Sequence, residues 1–114
     1  MTKTPLLYLT HILEATKSIQ AQIKEITKEQ FENSELLQGF VERKLEIIGE
    51  ATKRIPEDFK QQYPNIPWKD MAGMRDILIH QYTEVDEDIV WKTIKQKISP
   101  LREQIETIIS DISR

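Results

Sequence analysis

The sequence predicts an all-α fold, an antiparallel bundle of four main helices with a short extra helix before the third. Apolar residues recur at three- and four-residue intervals along most of the chain, which is the spacing of one helix face. Only three glycines occur in 114 residues, and prolines stand mainly where helices are expected to begin or end. With 39% hydrophobic and 31% charged residues, the composition is typical of a soluble globular protein.

The first two predicted helices each have one apolar face. Pro5 can open the first, which is expected to run to about residue 28. Asn33 or Ser34 can cap the second, and Pro56 marks its end. The residues expected on the two buried faces are Leu6, Leu9, Ile12, Leu13, Ile19, Ile23 and Ile26 in the first helix, and Leu37, Phe40, Val41, Leu45, Ile48, Ala51 and Ile55 in the second.

The second half of the chain predicts a connector and two more helices. Residues 56–67 hold three prolines, which favour a connector with one short helix. Pro67 suits the first turn of a third helix, which leads to His80. Asp86 can cap the fourth, and Pro100 is expected to kink or divide it.

Composition and charge exclude some functions and leave others open. There is no cysteine, so neither disulfides nor thiolate metal sites are available. The formal charge of −3 gives no overall attraction to nucleic acid, and any RNA contact must come from a local patch. Charged residues interrupt the apolar start of the chain, and no window approaches the roughly 20 apolar residues of a membrane span. We therefore expect one domain over residues 1–114, in the cytoplasm.

Four chemically reactive groups lie within eight residues in the stretch GMRDILIHQY: Arg75, Asp76, His80 and Tyr82. At about 100° per residue, Arg75 and Tyr82 differ by about 20° around an ideal helix and share a face. Asp76 and His80 differ by about 40°, so the carboxylate can orient the imidazole and favour its protonated form. Arg75 and His80, in contrast, differ by about 140°, and a straight helix does not point both at one small ligand.

Two arrangements could bring Arg75 and His80 together. The helix could loosen near His80, or two subunits could face each other across a two-fold axis and share one groove; we favour the dimer. The residue types suit phosphodiester cleavage, because guanidinium groups bind phosphate and histidine exchanges protons near neutral pH. The alternative is structural, since Arg-Asp neighbours are common surface charges and a histidine near a helix end often satisfies carbonyls.

The run MRDILIHQY resembles the R-x4-H-x-Y motif of HepT toxins, with Arg75, His80 and Tyr82 at the motif positions. These toxins belong to the HEPN (higher eukaryotes and prokaryotes nucleotide-binding) superfamily. Three further segments resemble the family in the same order: KLEIIGEATKRIP, NIPWKDMAGMRD and VDEDIVWKTI. The resemblance covers roughly Leu37 to Leu101, while the first helix is similar only in character.

The resemblance implies a single HEPN domain that forms a homodimer and cleaves RNA without a metal. Arg75 and His80 would be catalytic, with Asp76 in a supporting role. It also implies a type VII toxin–antitoxin module, in which a nucleotidyltransferase antitoxin similar to MntA uses ATP and magnesium to transfer AMP to Tyr82. The chain itself would hold no cofactor. The alternative function is a non-catalytic HEPN module that binds a nucleotide or a protein partner.

Several other residues are expected to have structural roles. Trp68 and Trp91 belong to apolar helical patterns and are expected to anchor the core or an interface. Gly49 is unfavourable in a helix by about 1 kcal/mol relative to alanine, so close helix packing would explain its presence. The histidines, His11 and His80, form no recognisable zinc arrangement, and we predict no bound metal. Three lysines could attract RNA but more often serve solvation on an exposed helix: Lys92, Lys95 and Lys97.

Overall fold

The computed structural model describes residues 3–75 and 87–113, and in these ranges the chain forms helices and no strand. The four long helices are α1 (Lys3–Ile23), α3 (Glu35–Arg54), α6 (Glu87–Gln96) and α7 (Ile98–Ile112). The three short ones are α2 (Lys28–Glu32), α4 (Glu57–Gln61) and α5 (Trp68–Ala72). The predicted all-α bundle is confirmed.

Helix α1 lies at the centre of the bundle, between α3 and α7, and packs extensively against both. Its apolar residues recur at three- and four-residue spacing, so they fall on one side of the helix and are removed from water together. Complete burial of one such side chain contributes about 1.5–3 kcal/mol. The fully buried side chains of α1, α3 and α7 include Leu9, Ile12, Ile19, Val41, Leu45, Ile48, Ile98 and Ile105.

The region between α1 and α3 differs from the prediction. Helix α1 ends at Ile23 rather than near residue 28, and a separate helix, α2, follows. Thr27 and Gln30 form a capping box: Gln30 N donates to Thr27 Oγ1 at 3.1 Å, and Thr27 N donates to Gln30 Oε1 at 2.8 Å. The Thr-x-x-Gln pattern in the sequence signals such a start, so the longer first helix was wrong.

Both predicted ends of α3 are confirmed. Ser34, rather than Asn33, caps the helix by accepting a hydrogen bond from Leu37 N at 3.1 Å. At the other end, Ile55 is the last cap residue before Pro56, which disfavours helical geometry at the residue before it. Gln38 Nε2 donates to the carbonyls of Phe31 and Glu32, both at 2.9 Å, and so holds α2 against the start of α3.

The connector contains the short helix predicted after Pro56, namely α4. Trp68, at the start of α5, is half-buried against the core, and its Nε1 donates to the carbonyls of Lys60 (3.2 Å) and Tyr63 (3.0 Å). Trp91 of α6 also packs against the core, with its ring centroid 5.4 Å from that of Phe31. Both tryptophans are anchors, as predicted.

The long helix predicted at the carboxyl end is divided, also as predicted. Helix α6 ends at Gln96, Lys97 caps the next helix, and Pro100 lies in the first turn of α7. Pro100 has no N–H to bond the carbonyl of Gln96 four residues earlier, and its ring would clash with that carbonyl in a continuous helix. The predicted cap of this helix, Asp86, lies outside the described residues.

Candidate active site

Helix α5 brings the start of the predicted motif onto the bundle. It packs against α3, with Met71 completely buried and Met74, just beyond its end, 3% exposed. These two side chains are three residues apart and therefore share the face that meets the core. Packing against the core therefore fixes the backbone that leads into the motif.

Gly49 of α3 allows this packing. A Cβ atom at this position would lie 2.9 Å from Arg75 Cβ, 3.0 Å from Arg75 N and 3.2 Å from the carbonyl oxygen of Ala72. Carbon atoms pack favourably at about 3.5–4.0 Å, so any larger residue would push the two segments apart. The predicted close helix packing is confirmed, and its function was missed: the residue placed against Gly49 is the motif arginine.

Arg75 lies at the edge of the buried face, next to Met74, and is itself half-buried. No carboxylate of the described ranges forms an ion pair with its guanidinium. A guanidinium group has five N–H donors in a fork that matches phosphate oxygens. Arg75 is therefore a partly desolvated cation on a fixed backbone, suited to bind an anionic oxygen.

The other three residues of the predicted site, Asp76, His80 and Tyr82, lie outside the described residues. Their roles stay predictions, and so does the two-fold arrangement that would bring Arg75 and His80 to one groove. The structure places the first member of the motif and shows what holds it.

No cluster of three or more histidine, aspartate or glutamate side chains that could hold a metal ion occurs within residues 3–75 and 87–113. His11 is exposed on α1, with its ring centroid 6.3 Å from that of Tyr8 in an edge-on contact. None of the described helices is both long enough and apolar enough to span a bilayer.

Comparison with known proteins identifies the family. A family described as "Ribonuclease HepT-like" matches residues 12–108. The chain is 48% identical over 101 residues to "Probable ribonuclease HepT" of Thermococcus cleftensis, an alignment that covers 89% of this chain and 92% of that protein. It is 42% identical over 107 residues to a "Putative RNase" of Caldanaerobacter subterraneus subsp. tengcongensis, covering 94% and 96% of the two chains.

A third relative is longer. The chain is 42% identical over 114 residues to a "Gamma-glutamylcyclotransferase and putative RNase" of Methanocaldococcus jannaschii. This alignment covers all of the present chain but only 51% of that protein. No solved structure matches the chain.

The helical bundle and the arginine seated on it define an all-α protein of the HEPN type. The chain belongs to the HepT-like ribonuclease family, as its sequence motif predicted.

Proposed function

We propose that this chain is the toxin of a toxin–antitoxin module, an endoribonuclease that needs no metal and is neutralised by AMPylation of Tyr82. The observation that carries the proposal is the family match over residues 12–108, which includes Arg75, His80 and Tyr82 at the motif positions. The close packing of Arg75 against Gly49 supports the proposal, because a group that stabilises charge must be held in place before the reaction begins.

In the proposed reaction, a ribose 2′-hydroxyl attacks the adjacent phosphorus. The bond from the 2′ oxygen to phosphorus forms, and the bond from phosphorus to the 5′ oxygen breaks. His80 accepts the proton of the attacking hydroxyl, or donates one to the leaving oxygen, and Asp76 orients the ring. The products are a 2′,3′-cyclic phosphate and a 5′-hydroxyl, and no atom or electron is required from a further reactant.

Arg75 would stabilise the negative charge that develops on the non-bridging phosphate oxygens. Removal of one preorganised donor of this kind commonly costs about 2.7–4 kcal/mol of transition-state stabilisation. The half-buried position of Arg75 strengthens the interaction, because fewer water molecules compete for the guanidinium.

The proposed active form is a homodimer. Because Arg75 and His80 differ by about 140° around an ideal helix, one straight helix cannot direct both to the same phosphate. Two motif helices that face each other across a two-fold axis would supply both groups from each side. One copy of His80 could then act as the base and the other as the acid.

The proposed regulator is a nucleotidyltransferase antitoxin that uses ATP and magnesium. Its transfer of AMP to Tyr82 would place a bulky group and a phosphodiester charge on the same predicted helix face as Arg75. The added phosphate would compete with RNA for the guanidinium, and the nucleoside would fill the groove. The phenol oxygen of Tyr82 forms one phosphodiester to the first adenylate as its proton leaves and pyrophosphate is released; any further adenylate would join a ribose hydroxyl of the preceding one.

The proposal is tested by RNA cleavage in the presence of excess EDTA. The intact protein should cut RNA and leave cyclic phosphate and 5′-hydroxyl ends. His80→Ala should lose at least about a hundredfold in rate, since general acid–base catalysis contributes about 10²–10⁴-fold. The matched control is His11→Ala, which removes the second histidine from the exposed side of α1 and should keep full activity.

Two results would contradict the proposal. Equal cutting by the His80→Ala variant would place the activity elsewhere or in a contaminant. Tight binding of RNA or of a nucleotide by the intact protein, with no cleavage of varied substrates, would favour the non-catalytic binding module.

A further inference from the structure

An open groove of about 470 Å³ runs along α1 on the side that meets α6 and α7. Its lining includes Lys17 and Gln20 from α1, Lys24 from the turn directly after α1, Lys95 from α6, and Ser99 and Arg102 from α7. We call this feature the basic groove. The close contact between Gly49 and Arg75 is formed where α5 packs against α3, and neither of these two helices lines the groove.

The basic groove concentrates positive charge in an acidic chain. The whole sequence has 16 lysine and arginine residues against 19 aspartate and glutamate residues, yet four cations and no carboxylate line the groove; of the four, Arg102 forms an ion pair with Glu106 outside the lining. Lys17, Lys24 and Lys95 are exposed, and no carboxylate of the described residues pairs with them. A concave surface with one sign of charge focuses the electric field and attracts a polyanion.

Lys92 of α6 and Lys97, which follows α6, do not line the basic groove. Lys92 pairs with Asp88 at 3.3 Å, and Lys97 is the cap residue of α7 and does not line the groove. The ammonium of Lys95 lies 5.3 Å from the centre of the Trp91 ring. Of the three lysines that the sequence indicated as RNA candidates, Lys95 alone lines the basic groove.

Arg102 is held in place by two hydrogen bonds where α7 lines the groove. Its Nη1 donates to Gln20 Oε1 at 2.6 Å, and its Nε donates to Glu106 Oε2 at 3.3 Å. Two of its five N–H groups are used in these bonds, which leaves three for another acceptor. The guanidinium is thus preorganised, and binding a phosphate there requires little further loss of side-chain entropy.

The lysines are spaced for an extended ligand rather than for one ion. Lys17 lies on α1 and Lys24 directly follows its last residue, so most of the seven-residue separation is helical and places the two roughly 10 Å apart along the helix axis. Lys95 and Arg102 add charge from the opposite wall. Separate cations along a groove contact successive phosphates of a chain, whereas a single phosphate would need them to converge.

We propose that the basic groove binds the sugar–phosphate backbone of single-stranded RNA away from the cleavage site, an inference that rests on the proposed ribonuclease function. The groove contacts phosphates without reading bases, and so it raises affinity for long RNA with little dependence on sequence. Because it touches no reacting atom, it lowers KM for long substrates and leaves kcat unchanged.

The test compares RNA affinities over a range of salt. The protein carrying His80→Ala is titrated with a fluorescein-labelled single-stranded RNA of mixed sequence, from about 50 to about 200 mM salt. A plot of log affinity against log salt concentration falls with a negative slope, and each lost phosphate contact reduces the magnitude of that slope by about 0.7. Lys17→Gln with Lys24→Gln should therefore lower the slope by about 1.4 and weaken binding roughly 25-fold at about 0.1 M salt.

Two matched variants control for charge and for folding. Lys17→Arg with Lys24→Arg keeps the charges at the same sites and should bind as the parent does. Lys44→Gln with Lys60→Gln removes two charges from α3 and α4, outside the groove, and should leave the slope unchanged. In the active protein, the groove variant should raise KM for long RNA without a change in kcat.

The outcomes separate this inference from the function on which it rests. If the parent binds RNA and the groove variant keeps the same slope and affinity, the groove proposal is overturned and the ribonuclease proposal stands. An equal loss in the Lys44 and Lys60 control would also overturn it, since net charge alone would then explain the effect. Failure of the active protein, with His80 intact, to bind or cut any RNA contradicts the ribonuclease function itself.

Discussion

Gly49 and Arg75 form the contact on which the geometry of the site depends. The two residues are far apart in sequence, yet the absence of one methyl group at Gly49 lets the backbone at Arg75 lie directly on α3. A glycine within a helix weakens that helix by about 0.5–1 kcal/mol relative to alanine. This loss of helix stability occurs at the position where a larger residue would displace the motif arginine.

Gly49→Ala should therefore destabilise the protein and reduce its activity. The added Cβ would meet another Cβ and backbone atoms, which cannot swing away as a flexible side chain can. Overpacking costs about 1–3 kcal/mol against a helix gain of about 1 kcal/mol, so we expect a net loss of about 1 kcal/mol in denaturant unfolding. RNA cleavage should fall on the order of tenfold, less than the hundredfold of a 1 Å misplacement.

Gly39→Ala is the matched control, because a Cβ at Gly39 on the same helix would meet nothing within 4 Å. This variant should gain up to about 1 kcal/mol of stability and keep full activity. If Gly49→Ala were as stable and as active as Gly39→Ala, the close approach would not position the arginine.

The proposed AMPylation of Tyr82 is tested with single substitutions. When the protein is incubated with the partner nucleotidyltransferase, ATP and magnesium, its intact mass should rise by whole AMP units, and RNA cleavage should stop. Tyr82→Phe should show no mass shift, because it lacks the acceptor oxygen. Tyr8→Phe should be modified as the parent is, and any labelling of Tyr82→Phe would place the acceptor elsewhere.

At the scale of elements, α2 is tied to α6 by charge and by aromatic packing. Lys28 of α2 and Lys92 of α6 both pair with Asp88, which lies in the first turn of α6. Beneath this surface pairing, Phe31 of α2 is completely buried against Trp91. The two interactions hold α6 against α2.

The charge pairing predicts a defined response to acid. Hydrogen bonds from Lys28, and secondarily from Lys92, hold the pKa of Asp88 below its ordinary value of 3.8. The stabilisation is therefore fully present above pH 3.8 and is lost as the pH falls through the lowered pKa. In Lys28→Gln, NMR titration should show the Asp88 pKa rising toward its ordinary value, with a smaller rise in Lys92→Gln. An unchanged Asp88 pKa in Lys28→Gln would contradict this account.

Most element boundaries could be predicted because local chemistry determines them. Ser34 and Pro56 fix the ends of α3, and Pro100 requires a break after Gln96 through steric exclusion alone. Helix α2 was missed because apolar periodicity was continued past Ile23, although the capping pattern of Thr27 and Gln30 was present in the sequence.

The members of the candidate site stay predictions from the sequence motif, and how the structure builds the part around Arg75 could be predicted only in part. The motif named Arg75, and helix propensity alone suggested that Gly49 allows close packing. No local signal, however, showed which residue meets Gly49. The basic groove was likewise invisible, since Lys17, Lys24 and Arg102 come together only through the pairing of α1 with α7. Such contacts between distant segments are not encoded in periodicity or capping.

At the scale of the whole molecule, the proposal requires two chains. Light scattering at micromolar concentration should give twice the 13.5 kDa mass of the chain. Cleavage per chain should also fall when the protein is diluted below its dissociation constant, because each groove is built by both subunits. A monomer that cleaves RNA with the same specific activity at every concentration would contradict the shared groove.

The central position of α1 also affects how the protein can be made. Helix α1 leaves the ribosome long before α7, yet its buried face is completed only when α7 packs against it. Until α7 is made, α3 can cover only one side of α1, so the nascent chain carries exposed apolar side chains that invite aggregation and chaperone binding. The same order delays assembly of the bundle, so the ribosome that makes this nuclease is not exposed to its folded form until α7 has emerged.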